Sequence, residues 1–263
     1  MTAAAPAVAR VQLAALAAAA VACACTTSGS GSDAGPADGP EILSADPPDG
    51  SVDVATNPII RLETSEHLDD WTVESSSFEL YSGSISMWLL AYYDPVSRRV
   101  SVWPSSHLRE DAEWILEAGE GIADLEGDPL AAGVVTRFTT GEDEGDDAPF
   151  PELRYDPDVR AIFDGACASC HGGSSPMAGL ALDSADGLTG TAIGVASEGR
   201  PSYPRIEPAR PGRSYLVYKL LGDGAAAGMK MPCSLNDAPA QALSQAELQE
   251  VSDWIAGGAV MGP

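Results

Sequence analysis

The chain has 263 residues, enough for two domains of ordinary size, and its 39 acidic against 14 basic side chains give a formal net charge of −25. So acidic a chain repels nucleic acid, and that class of partner is set aside. Three histidines and five cysteines confine imidazole and thiol chemistry to a few positions.

At the start, Arg10 precedes an alanine- and leucine-rich apolar run from Val11 to Ala22. It is too short to span a bilayer and reads as an export signal. The run ends in Val21-Ala22-Cys23-Ala24-Cys25, where each cysteine follows a small residue, as lipoprotein processing requires. Neither has leucine three positions upstream, and Ala22-Cys23-Ala24 also fits a plain secretory cleavage site. Residues 1–25 are therefore expected to be an export signal of lipoprotein type, with Cys23 or Cys25 lipidated. The protein would then reside in the periplasm or cell envelope, held to a membrane through the lipid alone. Residues 26–40 are threonine, serine, glycine, aspartate, alanine and proline, with no apolar residue other than alanine and proline, and read as a flexible linker.

Residues 41–140 read as β. Ile59-Ile60-Arg61-Leu62 follows Asn57-Pro58, and Phe78-Glu79-Leu80-Tyr81 and Ile85-Ser86-Met87-Trp88-Leu89 alternate. Arg99-Val100-Ser101-Val102-Trp103 pairs across the Asp94-Pro95 turn with the run ending at Tyr93. Trp114-Ile115-Leu116-Glu117 and Val134-Val135-Thr136-Arg137-Phe138 complete a set of short strands that predicts a sandwich. With Pro48-Asp49-Gly50, Asn57-Pro58-Ile59-Ile60, Gly121-Ile122-Ala123-Asp124, Gly127-Asp128-Pro129-Leu130 and Arg137-Phe138-Thr139-Thr140-Gly141, the block resembles a bacterial Ig-like domain of the surface-layer type. That resemblance implies an adhesive or spacer module without catalytic residues. His67 and His107 read as surface histidines. Glu66 with Asp69-Asp70, and Glu110-Asp111-Glu113, read as solvated faces, since they lack the ordered spacing of a calcium loop.

Residues 141–151 place Glu142, Asp143, Glu144, Asp146 and Asp147 among glycine and proline, a self-repelling acidic linker. Asp156-Pro157 then reads as a helix N-cap followed by proline at the first position. Val159, Ile162, Phe163 and Ala166 share one face of that helix, which delivers Cys167-Ala168-Ser169-Cys170-His171. Two thiols three positions apart, followed at once by imidazole, is the arrangement that attaches haem c. The thiols become thioethers on the haem vinyl groups, and the imidazole becomes an axial iron ligand. The competing reading is a zinc site of Cys167, Cys170, His171 and Cys233. Gly172 and Gly173 stop the helix.

Downstream, Met229-Lys230-Met231-Pro232 offers a thioether for the second axial position, Met231 being preferred and Met229 the alternative. Either could instead fill a core. Pro211-Gly212-Arg213-Ser214 leads into a helix over 215–221 stopped by Gly222. Ser244-Gln245-Ala246-Glu247 is a capping box opening a helix whose apolar stripe is Leu248, Val251, Trp254 and Ile255. The attachment motif, Gly179-Leu180-Ala181-Leu182-Asp183, Pro211-Gly212 with Ser214-Tyr215-Leu216, Met231-Pro232, and Leu243-Ser244 through Gly257-Gly258-Ala259 together resemble a single-haem cytochrome c domain of planctomycete or myxobacterial secreted type. The resemblance spans 152–263 and implies an all-α domain around one covalent haem c. Cys233, directly after Met231-Pro232, has no place in that pattern.

The chain is thus expected to be multidomain, an all-β Ig-like sandwich followed by an all-α cytochrome c domain. Arg205, Arg210 and Arg213 lie near the loop that should cross the haem and are candidates to pair with its propionates, although ordinary surface arginine is the competing reading of each. The expected function is one-electron transfer with redox proteins of the cell envelope rather than catalysis. The alternatives are an adhesion or structural protein with an accessory haem domain, and the electron-transfer subunit of a larger oxidoreductase.

Overall fold

The computed structural model describes residues 39–119, 121–222, 224–233 and 241–262. The export signal, both candidate lipidation cysteines (Cys23 and Cys25) and nearly all of the 26–40 linker lie outside the described residues.

Nine strands form two sheets among the described residues. One has the order β1 (Ile42–Asp46), β3 (Ile60–Thr64), β7 (Arg99–Pro104), β6 (Leu89–Asp94). The other runs β2 (Ser51–Val54), β9 (Val134–Thr140), β8 (Glu113–Ala118), β4 (Phe78–Ser82), β5 (Ile85–Met87). The two-residue alternation of the sequence explains the packing: Ile60 and Leu62, Phe78 and Leu80, and Trp114 and Leu116 all turn inward to one core. β6 and β7 pair antiparallel from Leu89↔Pro104 to Asp94↔Arg99, the hairpin that Asp94-Pro95 announces. The run 85–89, expected as one strand, divides in two. β5 edges one sheet and β6 the other, and Trp88, where the chain crosses between them, is 85% exposed.

The second half corrects the expected all-α cytochrome c domain. The molecule is mainly β-sandwich, and its α-helices are few and short: α1 (Arg160–Ala166), α2 (Ala185–Thr191), α3 (Tyr215–Leu221) and α4 (Gln245–Ala256). Between them lie turns and irregular segments, with isolated bridges Ile193↔Ile206 and Ala196↔Pro204. Glycine and proline recur through 172–212, where helix is confined to the seven residues of α2 and one-turn 3-10 segments. The helical signals that do hold are local. Ser244 and Glu247 form the capping box of α4, Leu248, Val251, Trp254 and Ile255 are buried, and Gly222 ends α3 at φ 83°. Asp156 does not cap α1; its backbone is extended, and its carboxylate meets Arg160 at 3.2 Å instead. Tyr155, Phe163 and Trp254 form the aromatic centre of this half's core, with Val159, Leu188 and Val251 around them.

The two halves are docked. The turn Pro211–Arg213 sits on Asp70, approaching so closely that a Cβ on Gly212 would lie 2.7 Å from that of Asp70 and 2.9 Å from the Tyr93 ring. Arg213 Nε is 3.1 Å from Asp70 Oδ2, its Nη2 donates to the Asp70 carbonyl at 2.9 Å and to Glu74, and its guanidinium lies 4.0 Å from the centre of the Trp71 ring. Arg210 stands 3.7 Å from Asp70 Oδ1. On α4, Ser252 and Gln249 donate to the two oxygens of Asp94 at 2.7 and 2.8 Å. Segment 141–151 has no regular structure but is pinned along the sandwich: Asn57 exchanges two hydrogen bonds with Gly145, and Arg61 meets Asp147 at 3.3 Å. Asp70, expected on a solvated face, is therefore fully buried.

Burial pushes the Asp70 carboxyl up to about 7, against the pull of Arg210 and Arg213 and with a push from Glu74 and Asp69. A raised folded-state value means that the folded chain keeps a proton the unfolded chain has lost. The resulting contribution is complete below the unfolded value of 3.8 and disappears as pH rises through about 7. Between about pH 4 and pH 7, wild type should therefore lose up to about 1.4 kcal/mol per pH unit relative to Asp70→Asn, measured by denaturant titration. Parallel stability curves for the two proteins would exclude a titrating Asp70.

Candidate functional site

The attachment motif continues the turn that ends α1. Cys167 N–H donates to Phe163 O at 2.9 Å, and Cys170 and His171 N–H both return to Cys167 O at 3.1 and 2.9 Å. Both thiols and the imidazole thereby open onto one side, into a cavity of about 630 Å³. That volume lies within the roughly 300–1,000 Å³ of cofactor and small-molecule sites. Leu180, Leu182, Ile206, Leu216 and Leu220 make much of its wall apolar.

Cys167 is buried, and burial, with Cys170 beside it, pushes its thiol up to about 11. A thiol held protonated is poorly suited to thiol–disulfide exchange, which depends on a low-pKa thiolate. His171 Nδ1 lies 3.1 Å from the Met177 carbonyl oxygen. A carbonyl only accepts, so in the neutral imidazole Nδ1 carries the proton and Nε2 the lone pair. Gly172 is required where it stands, since a Cβ there would lie 2.6 Å from Ala168 O and 2.9 Å from Asp183 Oδ2. Asp183 also accepts the Gly173 N–H at 2.7 Å, which folds the chain back under the motif.

Both Met229 and Met231 line the same cavity, and Met231 also packs against the helical core. Met177 lines the cavity too, brought there by the bonds that tie it to Cys170 and His171. Nothing in the sequence marks it for that place, because only the folded turn returns it to the motif. Cys233 lines the same cavity. Even so, among the described residues no three His, Cys, Asp or Glu side chains are gathered to hold a metal ion, which weighs against the zinc reading.

The three candidate arginines separate. Arg205 lines the cavity and donates to the carbonyls of Ala178, Gly179 and Thr191 at 2.8, 3.0 and 2.8 Å, bracing the loop beneath His171. Arg210 and Arg213 are turned to Asp70 at the junction with the sandwich and do not line the cavity. Of the other histidines, His107 meets Glu144 at 3.3 Å on the surface. His67 is half-buried at the junction, edge-on to Tyr218 with ring centres 5.9 Å apart.

Residues 36–140 match the bacterial Ig-like domain family, and the two-sheet sandwich agrees, so this part of the chain is a bacterial Ig-like domain. The match ends before the cavity begins. No curated protein matches the chain. Among solved structures, domains 1–6 of the surface layer protein SbsC are 12% identical over 40% of this chain and 14% of that one, with a TM-score of 0.32. PcoC, a methionine-rich copper resistance protein from Escherichia coli, is 18% identical over 39% of this chain and 98% of its own, also with a TM-score of 0.32. Mycobacterium tuberculosis L,D-transpeptidase 1 is 14% identical over 39% and 40%, with a TM-score of 0.27.

Proposed function

We propose that the protein is an exported electron carrier of the cell envelope, holding one haem c covalently in this cavity. The observation that carries the reading is the convergence of Cys167, Cys170, His171 and the methionine loop on a single apolar cavity. Each thiol would add across a vinyl double bond, sulfur to one carbon and the thiol hydrogen to the other, so no oxidant is consumed. His171, its Nδ1 proton committed to Met177 O, would present Nε2 to the iron. Met231, which lines the same cavity, would supply a thioether as the second ligand. Held by these residues, a haem would supply a one-electron couple, with a potential that a methionine ligand would raise. The apolar part of the wall would limit water at the ring, and Arg205, alone among the candidate arginines in lining the cavity, supports a propionate partner there.

Redox proteins of the same compartment would be the partners, either free or as a larger oxidoreductase that this chain serves. The Ig-like domain supports a second reading, a structural protein with an accessory haem site. Rapid electron exchange with a small soluble carrier would separate the two, since an accessory site has no need of it.

The test is an absorption spectrum of the full chain made in a host that attaches haem c. Wild type should show covalent haem and a thioether–iron charge-transfer band. Met231→Ala should abolish the band and keep the haem attached, whereas Met229→Ala should keep both. The converse pattern would transfer the ligand role to Met229, and a colourless wild type would overturn the reading.

A further inference from the structure

The methionine loop has little regular structure to hold it, yet it must fix a thioether on one wall of a cavity. Residues 224–233 follow the left-handed turn at Gly222, where a Cβ would lie 2.7 Å from the side chain of Lys230. What ties this segment down comes largely from one face of α3. Lys219 Nζ donates to Ala227 O at 3.0 Å and to Met229 O, while Lys219 O accepts the Met231 N–H at 2.7 Å. One turn earlier, Tyr215 Oη accepts the Ala227 N–H at 3.0 Å and lies 3.3 Å from Ala227 O. Tyr215 and Lys219 are four residues apart and share a helix face, and both line the cavity. Ala225 is buried against Tyr203 and Tyr218, anchoring the start of the loop.

We infer that Lys219, supported by Tyr215, is a positioning residue that holds the methionine loop at the register in which a thioether faces His171. This inference rests on the haem reading above. Lys219 acts through its neighbours' carbonyls: its ammonium bridges the residues on either side of Gly228, and its own carbonyl receives Met231. Hydrogen bonds from a charged donor are the stronger kind, and two from one ammonium close a loop that has little regular structure of its own. An apolar replacement of equal length would keep the packing of the stem and lose only the bridge.

The experiment compares wild type, Lys219→Met, Lys219→Arg and Tyr215→Phe as haem-loaded full chains. Lys219→Met should keep covalent haem and lose most of the thioether–iron band, with a lower reduction potential and roughly ten- to a hundredfold faster hydrogen exchange at the Met231 amide. Lys219→Arg should restore most of the band, and Tyr215→Phe should weaken it less than Lys219→Met does. A Lys219→Met protein with the wild-type band and potential would overturn the inference while leaving haem attachment intact. Wild type without covalent haem would instead sink the parent reading. If Lys219→Met fails to fold, Tyr215→Phe decides the matter, because an unchanged band and Met231 exchange in that variant would dismiss the clamp.

Discussion

Full-length protein with Cys167 and Cys170 both replaced by serine should emerge from a haem-c-attaching host with no haem that survives unfolding, whereas wild type should keep its haem through acid and denaturant. The expected loss is complete because each thioether bond needs a cysteine sulfur and the double variant has neither. Single variants should retain one bond and a shifted spectrum. Loosely held haem could still enter the double variant, since His171 and the apolar wall remain, but it would be extractable. Denaturing gels stained for haem peroxidase activity separate these cases. Haem equally retained by the double variant would refute covalent attachment through this motif. A wild type that carries stoichiometric zinc would revive the competing zinc reading.

The residues that line the cavity were more legible in the sequence than the architecture around them. Five adjacent residues name the attachment motif, and the geometry they need is equally local, because the turn that carries both thiols returns to Cys167 O within four residues. The capping box at Ser244 and the stripe through Ile255 were legible for the same reason, since caps and periodicity act over one or two turns. Most of the sandwich was readable from β3 onward, although β5 was merged with the start of β6, and β1 and β2 were missed. Leu43 and Val52 face solvent at 62% and 68% exposure, so the apolar positions of those strands do not mark a core face. The all-α expectation came from a resemblance read over 152–263 as a whole, and it failed because the glycine- and proline-rich segments between α1, α3 and α4 fold largely as turns and bridges. Arg210 and Arg213 were drawn to the cavity by nearness in sequence. Their partner, Asp70, lies far back along the chain, and nothing local in either segment announces a long-range ion pair.

That ion pair makes Arg213→Ala the substitution with the largest expected effect on stability, a loss of about 3 kcal/mol near neutral pH. The variant leaves Asp70 buried with only Arg210 at 3.7 Å, and it also removes a donor to Glu74 and the guanidinium above Trp71. The cost sits at the low end for a broken buried pair because Asp70, already held near 7, can take up a proton instead of standing alone as an anion. The penalty should therefore grow with pH: smaller at about pH 5, where Asp70 is neutral in both proteins, and larger at about pH 8, where wild type holds an ion pair that the variant lacks. Asp70→Asn combined with Arg213→Ala should cost less than the two single losses summed, as coupled neighbours do. Thermal unfolding of the four proteins at both pH values measures all of this. A penalty independent of pH would mean that Arg213 works through Trp71 and Glu74 alone. Additive losses would mean that Asp70 and Arg213, at 3.1 Å, do not act as a pair.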